Sequence, residues 1–152
     1  MENKIKKLPM EKLYPIMMDE FSKGRTFRMI TNGTSMLPLI GNGCDAVILK
    51  APIEKLRRYD IPLYRRNDGS FVLHRVVGFD SSGYIMCGDN QFVPEHGITD
   101  KNIVAVADRI LKSDGRIYNL QGAKYRMYCL ALTALRPIRR VLSKLKRITF
   151  AP

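Results

Sequence analysis

The segment Asn32-Gly33-Thr34-Ser35-Met36-Leu37-Pro38 sets a serine among turn-forming residues directly after an apolar run, Phe27 to Ile30. A serine hydroxyl attacks a carbonyl only when a base removes its proton, so Ser35 is a candidate nucleophile if the chain also supplies that base. The sequence contains two histidines. His74 stands in Phe71-Val72-Leu73-His74-Arg75-Val76-Val77, where an extended segment would hold it rigidly. An ordinary imidazole pKa of about 6.5 suits general-base work near neutrality. His96 follows Glu95 in a Pro- and Gly-containing stretch and reads as a solvent-facing loop residue. Taken singly, a serine in a turn and a histidine on a strand are most often structural; only the pair suggests nucleophilic chemistry.

Other chemistries find less support. Cys44, Cys87 and Cys129 are odd in number and widely spaced, with no C-x-x-C pair. Neither a disulfide framework nor a zinc site follows, and a reducing compartment is the simpler expectation. With no convergent His, Cys and acidic residues, no metal and no cofactor are expected. Asn32-Gly33-Thr34 fits a glycosylation acceptor pattern, but no secretory signal is recognised. Met1 to Pro9 is polar and lysine-rich, with no apolar core behind it. A membrane-spanning helix needs roughly 18 apolar residues, and Met127 to Leu135 offers about half that. The expected location is cytoplasmic, or peripheral at a membrane.

The elements that must hold Ser35 and His74 read as β structure. At 152 residues, with 45% hydrophobic and 26% charged residues, the chain can bury one core and is not disordered in composition. Between Phe27 and Leu111, short apolar runs alternate with Gly, Asn, Asp and Pro. Asn67-Asp68-Gly69 predicts a hairpin joining Ile61–Tyr64 to Phe71–Gly78. Pro94 to Asp100 reads as a connection, and Asp114-Gly115 as a weaker turn signal. Before this region, Met10, Leu13, Ile16, Met17 and Phe21 fall at helical spacing, with Pro15 as an interruption and Gly24 as a stop. After it, Tyr125, Tyr128, Leu132, Leu135, Ile138, Leu142 and Leu145 recur every three or four positions, and Pro137 should kink or split the helix they predict. The expected organisation is an N-terminal helical segment (1–26), a β domain (27–120) and a basic helical tail (121–152).

The formal net charge of +12 implies affinity for anionic surfaces. Much of it lies in the tail, where Lys124, Arg126, Arg136, Arg139, Arg140, Lys144, Lys146 and Arg147 meet no acidic residue. Two readings stay open: an amphipathic helix on an anionic membrane, and a helix packed on the β domain with a solvated charged face.

Three short boxes in order resemble the type I signal peptidases, within the superfamily that also holds the self-cleaving repressors, and are nearest to the Ser-His endoplasmic-reticulum branch. They are Ser35-Met36-Leu37-Pro38, followed by Gly43-Cys44-Asp45; Asp60-Ile61-Pro62-Leu63-Tyr64 leading into His74-Arg75-Val76; and Gly88-Asp89-Asn90. The similarity covers roughly Met29 to Arg109. It implies a coiled β-sheet peptidase domain in which Ser35 is the nucleophile and His74 takes the place of the lysine of the common bacterial enzymes. It also implies an acid after the third box: Glu95 stands where that branch has Asp, with Asp89 as the alternative or supporting acid. The family's usual serine two positions before the nucleophile is Gly33 here. The oxyanion would then be met by the Ser35 N–H with help from Thr34 or Asn32, or by main-chain donors alone, beside Met36.

The resemblance implies an endopeptidase that cleaves a leader or signal-like peptide bound as an added β-strand, with Phe27–Asn32 and Ser70–Leu73 as flanking edges. The alternative is a catalytically inactive or regulatory relative that binds peptides or an anionic surface. Nucleic acid is disfavoured as a partner, because no interleaved aromatic and basic motif accompanies the charge.

Overall fold

The computed structural model describes residues 8–149, with side chains described through Val141. Leu142, Lys144, Leu145, Lys146 and Arg147, counted above in the tail, therefore lie outside the described side chains.

Helix α1 (Met10–Ser22) runs uninterrupted through Pro15. Its inner face is Met10, Tyr14, Met17 and Phe21, with Met17 fully buried, whereas Ile16 is exposed. Burial of that stripe offsets the hydrogen bond that Pro15 cannot donate. Gly24 ends the helix as expected. With φ at +70°, its N–H reaches Phe21 O and the Arg25 N–H reaches Glu20 O, so two end carbonyls are satisfied.

The chain is mainly β. Strands β1 (Phe27–Ile30), β2 (Ala46–Lys50), β3 (Pro62–Arg65), β4 (Phe71–Leu73), β8 (Ile103–Leu111) and β9 (Ile117–Asn119) form one antiparallel sheet. Its order is β1-β2-β8-β3-β4, with β9 also on β8. The register of β8 shifts against β2 at Ile48/Leu49 and against β3 at Leu63/Tyr64. Such irregularities add local twist, and the sheet curls into a half barrel. A second sheet, β5-β6-β7, comprises β5 (Arg75–Asp80), β6 (Gly83–Cys87) and β7 (Glu95–Ile98). The core inside the larger sheet joins Val47, Leu49, Leu63, Ala105 and Ile110 to Met17 of α1 and to Tyr125 and Cys129 of the C-terminal helix α2 (Ala123–Thr149).

Two local expectations change, and one is narrowed. The hairpin at Asn67-Asp68-Gly69 forms between β3 and β4, with Leu63 opposite Leu73, but the run Phe71–Gly78 is not one strand. It breaks at His74, where the chain leaves the larger sheet for the smaller one. The Pro94–Asp100 connection contains strand β7, so His96 lies on a strand, exposed, with Nδ1 2.7 Å from Asp80 Oδ2. Helix α2 continues through Pro137 without splitting. Among the described residues, no helix is long and apolar enough to cross a membrane.

Candidate functional site

Ser35 sits in the loop that follows edge strand β1. Gly33 adopts φ +115°, and its N–H donates to Asn42 Oδ1 at 2.8 Å, which turns the chain out of the sheet. Leu37 N–H then closes a turn onto Thr34 O at 3.3 Å, and Met36, 5% exposed, anchors the turn in the core. Asn32 is exposed beside Gly43. Ser35 is half-buried, and its hydroxyl makes no hydrogen bond among the described residues. The N–H groups of Thr34, Ser35 and Met36 likewise have no protein acceptor there. A loop that leaves main-chain donors unpaired next to a free hydroxyl is a setting that could receive a developing oxyanion.

The third box is fastened to this loop. Asn90 N–H donates to Ser35 O at 2.8 Å and Asn90 Nδ2 to Thr34 O at 3.2 Å. Gly88 lies so close that a Cβ built on it would be 2.6 Å from Ser35 O and 3.1 Å from Ser35 Cβ. No side chain fits there, which accounts for the glycine.

His74 belongs to the second box. Arg75, the residue after it, pairs with Cys87, the residue before Gly88, as the end pair of the β5–β6 ladder. Edge strand β4 ends at Leu73, immediately before His74. No hydrogen bond joins Ser35 to His74 among the described residues.

The imidazole is 5% exposed, and its Nδ1 lies 3.2 Å from the hydroxyl of Tyr64 on β3. That hydroxyl donates to Glu95 Oε2 at 2.8 Å, and Arg66 grips both Glu95 oxygens, with Nε to Oε1 at 2.8 Å and Nη2 to Oε2 at 2.7 Å. The Arg66 hydrogen bonds hold the Glu95 carboxyl below its ordinary pKa against the opposing effect of burial, so it is an ionised acceptor. Burial, reinforced by Glu95, raises the Tyr64 phenol well above its ordinary value, so its proton stays on. One phenolic proton can serve one acceptor. Since Tyr64 gives its proton to Glu95, Nδ1 of His74 must be the donor to Tyr64, and Nε2 is left with a free lone pair. That tautomer is the one a general base needs. Burial, then the nearby Arg66 charge, push the His74 pKa down to about 4, against weaker pulls upward from Glu95 and Asp89.

The two candidate acids therefore have different positions from those expected. Glu95 does not touch the imidazole; Tyr64 stands between them. Asp89 makes no hydrogen bond to it and pairs with Arg75, Oδ1 to Nε at 2.7 Å and Oδ2 to Nη2 at 2.6 Å, with both side chains essentially inaccessible. Arg75 Nη1 completes the set with Tyr59 O at 3.2 Å, the Tyr125 hydroxyl and Cys129 Sγ. Tyr59 takes φ +81° to present that carbonyl. Tyr64 closes the apolar strand of the second box without a role assigned to it there, and Arg66 carries no motif. The one signal for them is that, in a β3–β4 hairpin, Tyr64 lies beside the strand that delivers His74.

An open hollow next to His74 is lined by Met86, Gln91, Phe92, Val93 and Pro94, with Arg66, Asp68 and Glu95 at its polar side. Among the described residues no group of three or more His, Cys, Asp or Glu could hold a metal ion. No protein-family model matches the chain, and no curated protein and no solved structure matches it either.

Proposed function

We propose that this chain is a serine endopeptidase with a signal-peptidase-like β domain, cleaving an extended leader or signal-like peptide with Ser35 as nucleophile and His74 as general base. The observation that carries this reading is the meeting of three separated boxes: Asn90 holds the Ser35 loop, Gly88 packs against Ser35, and Asp89 holds Arg75, the residue after His74. The substrate strand pairs with a free edge of the larger sheet. Edges β1 and β4 lead into the Ser35 loop and His74 respectively, so a peptide on either edge runs toward the reacting groups. The hollow beside His74 receives a substrate side chain.

In the first half-reaction Ser35 Oγ adds to the scissile carbonyl as its proton passes to His74 Nε2, and the oxyanion draws on main-chain donors of the Thr34–Met36 turn. Tyr64, its own proton held by Glu95, accepts from Nδ1–H and turns its oxygen dipole toward the new imidazolium. The leaving amine takes the proton from Nε2 and departs, leaving an acyl ester on Ser35. Water, deprotonated by the same nitrogen, hydrolyses that ester.

The missing hydrogen bond between Ser35 and His74 favours a second reading, a catalytically inactive peptide binder with the same edges, although catalytic hydrogen bonds often tighten only with substrate bound. One experiment separates them. Purified wild type, Ser35→Ala and His74→Ala are incubated with a library of leader-type peptides, cleavage is read by mass spectrometry and folding by circular dichroism. Cleavage by wild type and a loss of at least about 10³-fold in each folded variant is expected. Binding without cleavage would establish the second reading, and cleavage surviving either change would remove that residue from the chemistry.

A further inference from the structure

Helix α2 has two apolar faces, and only one is covered among the described residues. The inner face carries Tyr125, Cys129 and Leu132, all buried, with Tyr128, Arg136 and Arg139 partly covered along the same side. On the other side Met127, Leu130, Leu135, Ile138 and Val141 are 50 to 69% exposed, with Ala131 and Ala134 exposed between them. Their spacing of three or five residues keeps them on one broad stripe about 14 residues, or roughly 21 Å, long at 1.5 Å per residue. A helix needs no such stripe to be soluble, and a stripe of this kind on a monomer calls for an occupant.

The charge around it selects one. Exposed Lys124 and Arg126 lie beside its first turn, and no acidic residue occurs anywhere from Ala123 to the C-terminus. A second copy of the same helix would bring cations against cations, whereas a bilayer rich in anionic headgroups offers an apolar layer for the stripe and opposite charge for its flanks. We propose that the outer face of α2 lies in the surface of an anionic lipid bilayer. The inner face fixes what this brings near the lipid. Arg139 Nη1 donates to Asp89 O at 2.9 Å, and the Tyr128 hydroxyl lies 3.4 Å from Asp89 Oδ2. The Gly88-Asp89-Asn90 loop, and Ser35 bound to it, therefore sit about one helix diameter, roughly 10 Å, from the membrane. Only peptide segments emerging at the bilayer surface have ready access to such a site. That last consequence rests on the peptidase reading, while the lipid contact itself does not.

The test uses the full chain and vesicles of phosphatidylcholine alone or with phosphatidylglycerol, read by flotation, with sedimentation velocity of the protein alone. The variant Leu130→Gln/Ile138→Gln/Val141→Gln alters exposed side chains only, and an unchanged thermal transition verifies its fold. Wild type should float with anionic vesicles, at least about tenfold less with neutral ones or at high salt, and the triple variant should lose at least about tenfold in partitioning. Flotation by the triple variant equal to wild type, equal flotation with neutral vesicles, or no flotation at all would overturn the proposal. So would a wild-type dimer that dissociates in the triple variant, since the stripe would then be an interface between copies. Because flotation does not depend on cleavage, each of these outcomes leaves the Ser35–His74 chemistry to its own test.

Discussion

A phenol with a single proton decides the state of the candidate base. Tyr64 cannot donate to both Glu95 and His74, and the ionised, arginine-gripped Glu95 can only accept, so the imidazole keeps its proton on Nδ1. Replacing Tyr64 by Phe removes that selection without opening a large cavity. The expected result is a fall in kcat of about ten- to a hundredfold with KM little changed, measured by steady-state cleavage kinetics. The pH profile follows from the same contacts. A base works only when unprotonated, and a pKa pushed down to about 4 leaves His74 neutral throughout the physiological range. The acid limb of kcat/KM should therefore fall near pH 4 rather than 6.5. Arg66→Met removes one of the charges that depress the imidazole, so the limb should move to higher pH; a limb that stays in place would separate Arg66 from the base.

At the scale of elements, both candidate groups stand where strands end. Strand β4 stops at Leu73 and β5 starts at Arg75, so His74 occupies the crossing between the sheets, while β1 ends five residues ahead of Ser35. The loop at Gly88 packs against Ser35 and has no room for a side chain. In Gly88→Ala the new methyl would meet Ser35 O at 2.6 Å, and since Asn90 ties the same segment to Ser35, the nucleophile loop must shift. Cleavage should drop by at least about tenfold, because displacement of about 1 Å at a reacting group costs up to about 10²-fold, while far-ultraviolet circular dichroism stays native. Full activity in this variant would mean that the Gly88 contact does not set the position of Ser35.

Across the whole molecule, the Arg75–Asp89 pair ties the smaller sheet, the third box and helix α2 together. Arg75 is 1% exposed and uses its donors on Asp89, Tyr59, Tyr125 and Cys129, with Tyr125 and Tyr128 stacked at 5.2 and 5.8 Å. A buried pair of this kind adds little over an apolar replacement, but removing one partner strands the other charge away from water. Asp89→Asn should thus cost about 3 to 5 kcal/mol, read as a lowered urea midpoint with an unchanged slope. An unchanged midpoint would mean that Arg75 finds another anion or water.

Much of this arrangement is written in local patterns. Turn residues at Asn67-Asp68-Gly69 specify the β3–β4 hairpin, Gly24 specifies a helix end, and the apolar runs specify a mainly β chain, because each of these depends on neighbours a few residues away. The candidate pair Ser35 and His74 was legible for a related reason: residue type and box order survive without coordinates. What the tertiary structure alone decided is which groups meet. Tyr64 finds Glu95 across 31 residues and Arg75 finds Tyr125 across 50, and no periodicity encodes contacts at that range. The apolar positions of α2 read as a single stripe in sequence, yet each three-residue step from Leu132 to Leu135 to Ile138 falls about 60° short of a full turn, so Tyr125 and Leu132 face the core while Leu135 and Ile138 face outward. Local sequence sets which elements form; long-range packing sets the partners of each charge and proton, and with them the chemistry the site can perform.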